Sequence, residues 1–350
     1  MADATAGSAR PFRPWPRMPF RGKPWPNGLC LRRLHPARRS ASWDDGSEMI
    51  VPDRFEFSFR GETCRGDVYL PQREDKPPAV IMAHGLSFDR TLGLAAYAER
   101  FCREGFAVFV FDYRGFGDSD GQPRRLVDPT RQLEDWAAAI AYVRDRADID
   151  PARIALWGTS FAGGHVVKTA AAGQPVAAII AQVPFLDIFS TLKKLGLRQV
   201  LRAVPHVLRD AAAALLGARP HEVRVIGTPD EFAVINTRGS RDTVLRLVPP
   251  GSPWENRCPA RILAKILLYR PLAAAARVTC PALLIYGEHD NIIDAGRVRQ
   301  AAAAVPSGRA LPIPAGHFDV YQGEPLTRAL DAECRFLQEV FSGRHPATGA

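Results

Sequence analysis

Ser160 lies in Ile154-Ala155-Leu156-Trp157-Gly158-Thr159-Ser160-Phe161-Ala162-Gly163-Gly164, where a short apolar stretch passes straight into Gly-x-Ser-x-Ala and then a helix-like segment. A strand that turns sharply into a helix can hold a serine hydroxyl clear of the sheet, and small flanking residues prevent clashes. A free hydroxyl is hardly ionised at neutral pH. Such a serine therefore attacks a carbonyl only with a base beside it, and the base needs an acid to orient it. Candidates lie downstream: Asp290 in Gly287-Glu288-His289-Asp290, and His317 in Pro314-Ala315-Gly316-His317-Phe318, each just beyond an apolar run. Glu288 and Asp294 compete for the acid role, and His289 reads as a packing or surface residue. Attack on a carbonyl would leave an oxyanion, which backbone N–H groups commonly meet. The amide of Phe161, directly after the serine, is one such donor, and the helix start adds a favourable field.

These residues need rigid elements to carry them. The alternation Phe55-Glu56-Phe57-Ser58-Phe59, a turn at Arg60-Gly61, and Cys64–Leu70 predict a hairpin. Apolar runs then follow at Ala79–Ala83, Ala107–Phe111, Ile154–Trp157, Val176–Gln182, Ala282–Tyr286 and Ala310–Ile313, separated mostly by helix-length segments such as Leu133–Arg146 and Ala295–Ala304. This alternation predicts an α/β fold with a mostly parallel central sheet flanked by helices, and continuous apolar runs fit strands buried on both faces. The rhythm breaks between about Pro184 and Thr279. There Leu197, Val200, Leu201 and Val204 share one helix face, Pro205 interrupts, Val207–Leu216 resumes, and Arg261–Tyr269 adds another helix. The segment reads as a mostly helical insertion.

The turn around Ser160, the loop Ala83-His84-Gly85-Leu86 and the order serine, aspartate, histidine together resemble the α/β-hydrolase superfamily, from roughly Phe55 to Phe341. The turn departs from Gly-x-Ser-x-Gly only at Ala162, which is still small. The resemblance implies that Ser160 is the nucleophile, Asp290 the orienting acid and His317 the base. It also implies that the amide of Leu86 is the second oxyanion donor beside Phe161, with His84 bracing its loop. The glycine-rich stretch Asp112–Gly121, also familiar from this superfamily, lacks the endings of a phosphate-binding loop. It reads as structural, Asp118 being its one candidate for a pocket rim. The chain looks like dienelactone-hydrolase-like and Xaa-Pro-peptidase-like esterases. Val183–Asp187 and Gly251-Ser252-Pro253-Trp254-Glu255-Asn256 are also similar to a branch containing polyketide transferases. A serine rather than a carboxylate nucleophile argues against dehalogenases and epoxide hydrolases and implies an acyl-enzyme. Release by water would make the protein an ester, thioester or amide hydrolase; release by an alcohol would make it an acyltransferase. A silent binding protein on the same fold is the remaining class. The insertion is expected either to form a lid over a pocket for a hydrophobic acyl substrate or simply to pack on the core.

Composition narrows the partners. The 350 residues carry a formal charge of +9. Nine Lys or Arg stand against the single acid Asp3 in residues 1–43, so the remainder is close to neutral and signals no nucleic-acid surface. Six cysteines without a C-x-x-C pair suggest idle thiols in a reducing cytoplasm rather than zinc or disulfides. No metal or cofactor is implied, and no apolar run is long enough to span a membrane. Residues 1–47, rich in Pro and Arg, are expected to be disordered. They make a poor export signal and fit an organellar transit peptide badly; a start at Met18 or Met49 is the alternative. Residues 48–343 are expected to form the hydrolase domain, with the insertion at about 184–279 and a tail at 344–350.

Overall fold

The computed structural model describes residues 50–342, apart from the side chains of residues 190–198. The expectations for residues 1–47, for the tail 344–350 and for the Leu197 side chain fall outside the described residues. Strand β1 (Asp53–Phe59) turns into β2 (Glu62–Tyr69) through Arg60 and Gly61, both left-handed at φ 51° and 79°. Two left-handed residues give the tight turn whose twist matches the strands on either side. Phe55 and Phe57 face the core while Arg54, Glu56 and Ser58 face water, as the alternation predicts.

The continuous apolar runs become the interior strands β3 (Ala79–Ala83), β4 (Ala107–Phe111), β5 (Ile154–Thr159), β6 (Ala178–Gln182) and, later in the chain, β10 (Ala282–Gly287), whereas the last run becomes β11 (Gly308–Ile313), an edge strand that is only partly buried. The eight-stranded sheet has the order β1-β2-β4-β3-β5-β6-β10-β11. It is parallel from β4 to β11, and the hairpin pairs antiparallel at one edge. Alternate residues feed two cores. Ile81, Phe109 and Leu156 pack with α2 (Pro129–Arg144), α3 (Phe161–Ala171) and α7 (Ala295–Ala304). Val80, Val108 and Trp157 pack with α1 (Ala95–Arg103) and α8 (Gly323–Phe341) on the other face. The register pairs Ala83 with Gly158, Thr159 with Gln182, and Gly287 with Ile313. The carboxyl ends of β3, β5, β10 and β11 therefore lie along one edge, where open α/β sheets build their sites.

Residues 183–281 are inserted between β6 and β10, which are neighbours in the sheet. The insertion holds α4 (Phe189–Leu215), β7 (Glu222–Ile226), β8 (Ala233–Ile235), α5 (Ser240–Leu247), β9 (Cys258–Pro259), α6 (Ile262–Leu268) and a 3₁₀ turn at Pro271–Arg277. One expectation changes here. Pro205 lies inside α4 and does not end it. A proline removes one N–H and crowds the carbonyl four residues back, a local cost that the rest of a 27-residue helix outlasts. The regular structure of the insertion is mainly helical, as expected, but β7 also pairs with β8 and β9 in a separate three-stranded sheet. The face of α4 that the apolar spacing singles out points to water, with Leu201 60% and Val204 47% exposed.

Candidate active site

Ser160 is the junction of β5 and α3, at φ 53° and ψ −113°. L-residues rarely adopt such a backbone, and it persists only where the surroundings over-determine it. Here the Ser160 N–H donates to the Gln182 carbonyl at 2.8 Å, and the Ser160 carbonyl accepts the Phe185 N–H at 2.8 Å. Small neighbours make the turn sterically feasible. A Cβ on Gly158 would lie 2.3 Å from the Ala162 carbonyl oxygen, and one on Gly164 would lie 2.3 Å from that of Phe185.

The loop after β11 brings the His317 ring to Ser160, with Nε2 3.0 Å from Oγ. The loop after β10 brings Asp290 to the other side of that ring, with Oδ2 2.7 Å from Nδ1. An ionised carboxylate only accepts, so Nδ1–H donates to Asp290 and Nε2 is left to accept the serine O–H. The side chains of His317 and Asp290 are 1% and 2% exposed. Burial alone would raise the Asp290 pKa. The adjoining His317 and the Ile292 and Ile293 N–H groups, both 2.8 Å from Oδ1, outweigh it and hold the carboxyl below its ordinary value. The rival acids are placed otherwise. Glu288 and His289 are exposed, and Asp294 caps α7 by accepting the Arg297 N–H at 3.1 Å.

Of the two residues expected to supply oxyanion donors, Phe161 follows the serine directly and Leu86 belongs to a loop that packs against it. Phe161 is the first residue of α3, where an N–H has no carbonyl four residues back inside the helix. Gly85 packs so closely that a Cβ there would lie 3.2 Å from the Ser160 Cβ, which puts the loop holding Leu86 against the nucleophile position. His84 is buried behind this loop. Its Nδ1–H donates to the Gly85 carbonyl at 3.0 Å, and its ring meets Tyr113 edge-on at 4.7 Å. Burial lowers its pKa, so it stands neutral. Asp118 pairs with Arg90 and Arg54 and takes no part in the cavity lining described next.

A cavity of about 20 Å³ lies beside Thr159 at the end of β5, walled also by Gly85, Phe88, Phe318 and Tyr321 and by Val244 and Leu247 of α5. Sequence reasoning missed Tyr321, whose hydroxyl hydrogen-bonds Thr159 beneath the turn, and Gln182, whose main-chain carbonyl anchors Ser160. Neither carries a motif; their contribution comes from register and proximity. Among the described residues, no group of three His, Cys, Asp or Glu side chains is placed to hold a metal ion.

The family model for serine aminopeptidase, S33, matches residues 75–313. The quorum-quenching protein AidA of Acinetobacter baumannii is 38% identical over 290 residues, 83% of this chain and 95% of that protein. A thiohydrolase of Aspergillus aculeatus is 25% identical over 81% of this chain and 92% of its own length. The polyketide transferase grgF of a Penicillium species is 29% identical over 66% of this chain and 76% of its own. A crystal structure of the α/β hydrolase GrgF from Penicillium matches the fold with a TM-score of 0.73 at 24% identity, covering 84% of this chain and all of the other.

Proposed function

We propose that this chain, which belongs to the serine aminopeptidase S33 family and is an enzyme of the α/β-hydrolase fold, cleaves a carboxylic ester or thioester through an acyl-enzyme on Ser160. The observation that carries the reading is the hydrogen-bonded series Ser160, His317, Asp290 at the carboxyl ends of the strands. His317 takes the serine proton as Oγ adds to the carbonyl carbon. Asp290 holds the ring in the required tautomer and stabilises the imidazolium, and the amides of Leu86 and Phe161 meet the oxyanion. His317 then gives the proton to the departing alcohol or thiol. Water, deprotonated by the same histidine, releases the acid.

Two further features support a hydrophobic acyl substrate and a lid. The cavity walls beside Thr159 are largely apolar, and two of them belong to α5 of the insertion. That cavity, about 20 Å³, holds about one water, and an α5 that lifts as a lid would enlarge it for a substrate. The reading of a cytoplasmic enzyme is supported by the five described cysteines, all unpaired thiols. Among the described residues, no helix is long and apolar enough to cross a membrane.

A second reading is acyl transfer, favoured by the relative named as a polyketide transferase. The test is to treat wild type and Ser160→Ala with a fluorophosphonate probe, then follow esters and acyl thioesters of increasing chain length with and without an alcohol acceptor. Loss of labelling and turnover in the variant is the expected result; an ester product that grows with acceptor concentration would favour transfer. Because one relative is named for quorum quenching, consumption of quorum signals belongs in the same panel. A folded wild type that takes no label would overturn the catalytic reading.

A further inference from the structure

The segment Gly251-Ser252-Pro253-Trp254-Glu255-Asn256 of the insertion supplies no group to the chemistry above, yet it reaches the loop that carries Leu86. The Trp254 indole N–H donates to the Ser87 carbonyl at 2.9 Å, and its ring packs on Phe88 with centroids 5.6 Å apart. Beside it, Ser252 Oγ lies 3.0 Å from Thr91 Oγ1 and accepts the Trp254 N–H at 3.2 Å. The arm is anchored at its base. The Asn256 amide brackets Ile226 with two hydrogen bonds of 2.8 Å, and Glu255 pairs with Arg125 at 2.5 Å. Ser87 itself sits at φ 55°, a left-handed conformation that a non-glycine residue keeps only when something outside the loop fixes it.

We propose that Trp254 is a positioning residue for the reaction at Ser160: by holding the Ser87 carbonyl it fixes the neighbouring Leu86 amide where the oxyanion forms. This rests on the hydrolase reading above. Its consequence is that oxyanion stabilisation is complete only while the arm of the insertion is docked, so arm placement and catalysis are coupled. The indole is suited to this task because it offers one donor on a rigid, largely apolar plate, so its N–H direction is set by the packing on Phe88.

Trp254→Phe removes the donor and keeps most of the packing. Losing an oxyanion donor outright costs about 10²–10³ in kcat, so losing its support should cost about tenfold, with KM within about twofold of wild type. A trifluoromethyl ketone, which captures the serine as a tetrahedral oxyanion, should bind about tenfold more weakly, in step with kcat. Hydrogen exchange over residues 84–92 should quicken, a readout independent of turnover. Ser252→Ala, which loosens the arm but leaves the indole, should move all three readouts the same way by a smaller factor and serves if Trp254→Phe does not fold. An unchanged kcat, or a rise in KM alone, in a folded variant would overturn the proposal while wild-type labelling at Ser160 keeps the hydrolase reading intact. An unlabelled wild type would overturn both.

Discussion

At the scale of single residues, Asp290 has the narrowest task. One carboxylate oxygen serves the His317 ring and the other takes two backbone N–H groups. Asparagine in its place offers an amide N–H where an acceptor is needed and turns the imidazole to the wrong tautomer. We expect Asp290→Asn to keep its fold by circular dichroism and lose about 10³–10⁴ in kcat on the best ester. Its pKa is held below the ordinary value. A carboxyl of that kind contributes stability above its unfolded pKa, about 3.9, and loses it as pH falls through the folded value. The melting-temperature gap between wild type and Asp290→Asn should thus narrow as pH falls below about 4. A gap that keeps widening below that pH would contradict this.

At the scale of elements, the turn from β5 into α3 depends on what is absent from Gly158. A methyl there would press on the Ala162 backbone, which cannot rotate away. Gly158→Ala should cost about 1–3 kcal/mol in urea unfolding, more than an exposed alanine substitution, and should lower kcat by shifting Ser160. This element, like the interior strands, was legible in the sequence, because strands buried on both faces must be apolar throughout and the tight turn must be small. The loops bearing Asp290 and His317 were legible for a related reason: each directly follows a strand with an apolar run, β10 in the interior and β11 at the sheet edge. The strands of the insertion were not. Strands β8 and β9 have three and two residues, too few to show a period, and β7 reads only as Glu-Val-Arg-Val-Ile. Trp254 stood in a segment noted for its likeness to other proteins, but nothing local says that an indole 167 positions away in sequence meets the Ser87 carbonyl.

At the scale of the whole molecule, the two cores differ in how polar groups are buried. On the α1 and α8 side, Glu333 is fully buried and accepts the Trp157 indole N–H at 3.0 Å, tying α8 to the strand that ends at Ser160. Burial pushes its pKa well above the ordinary value, so it is folded in as the neutral acid. The unfolded chain ionises there from about pH 4.3, so this group's stabilisation is full below that pH and falls as pH rises toward the folded value. Glu333→Gln keeps an acceptor for Trp157 and cannot ionise. Its melting temperature should match wild type near pH 4 and exceed it by about 2–6 °C at pH 8. A gap of equal size at both pH values would show that the carboxyl does not titrate this way. The position of the insertion has a further consequence. A chain cut at Gly217, an exposed left-handed residue between α4 and β7, would leave Ser160 on one piece and Asp290 and His317 on the other. The first piece keeps β1 to β6 and the second keeps β10 and β11. The β6–β10 seam is then the sole strand pairing of the large sheet that crosses the break. Two inert halves that regain activity on mixing would make this fold a complementation reporter, with the sheet as its reassembly interface.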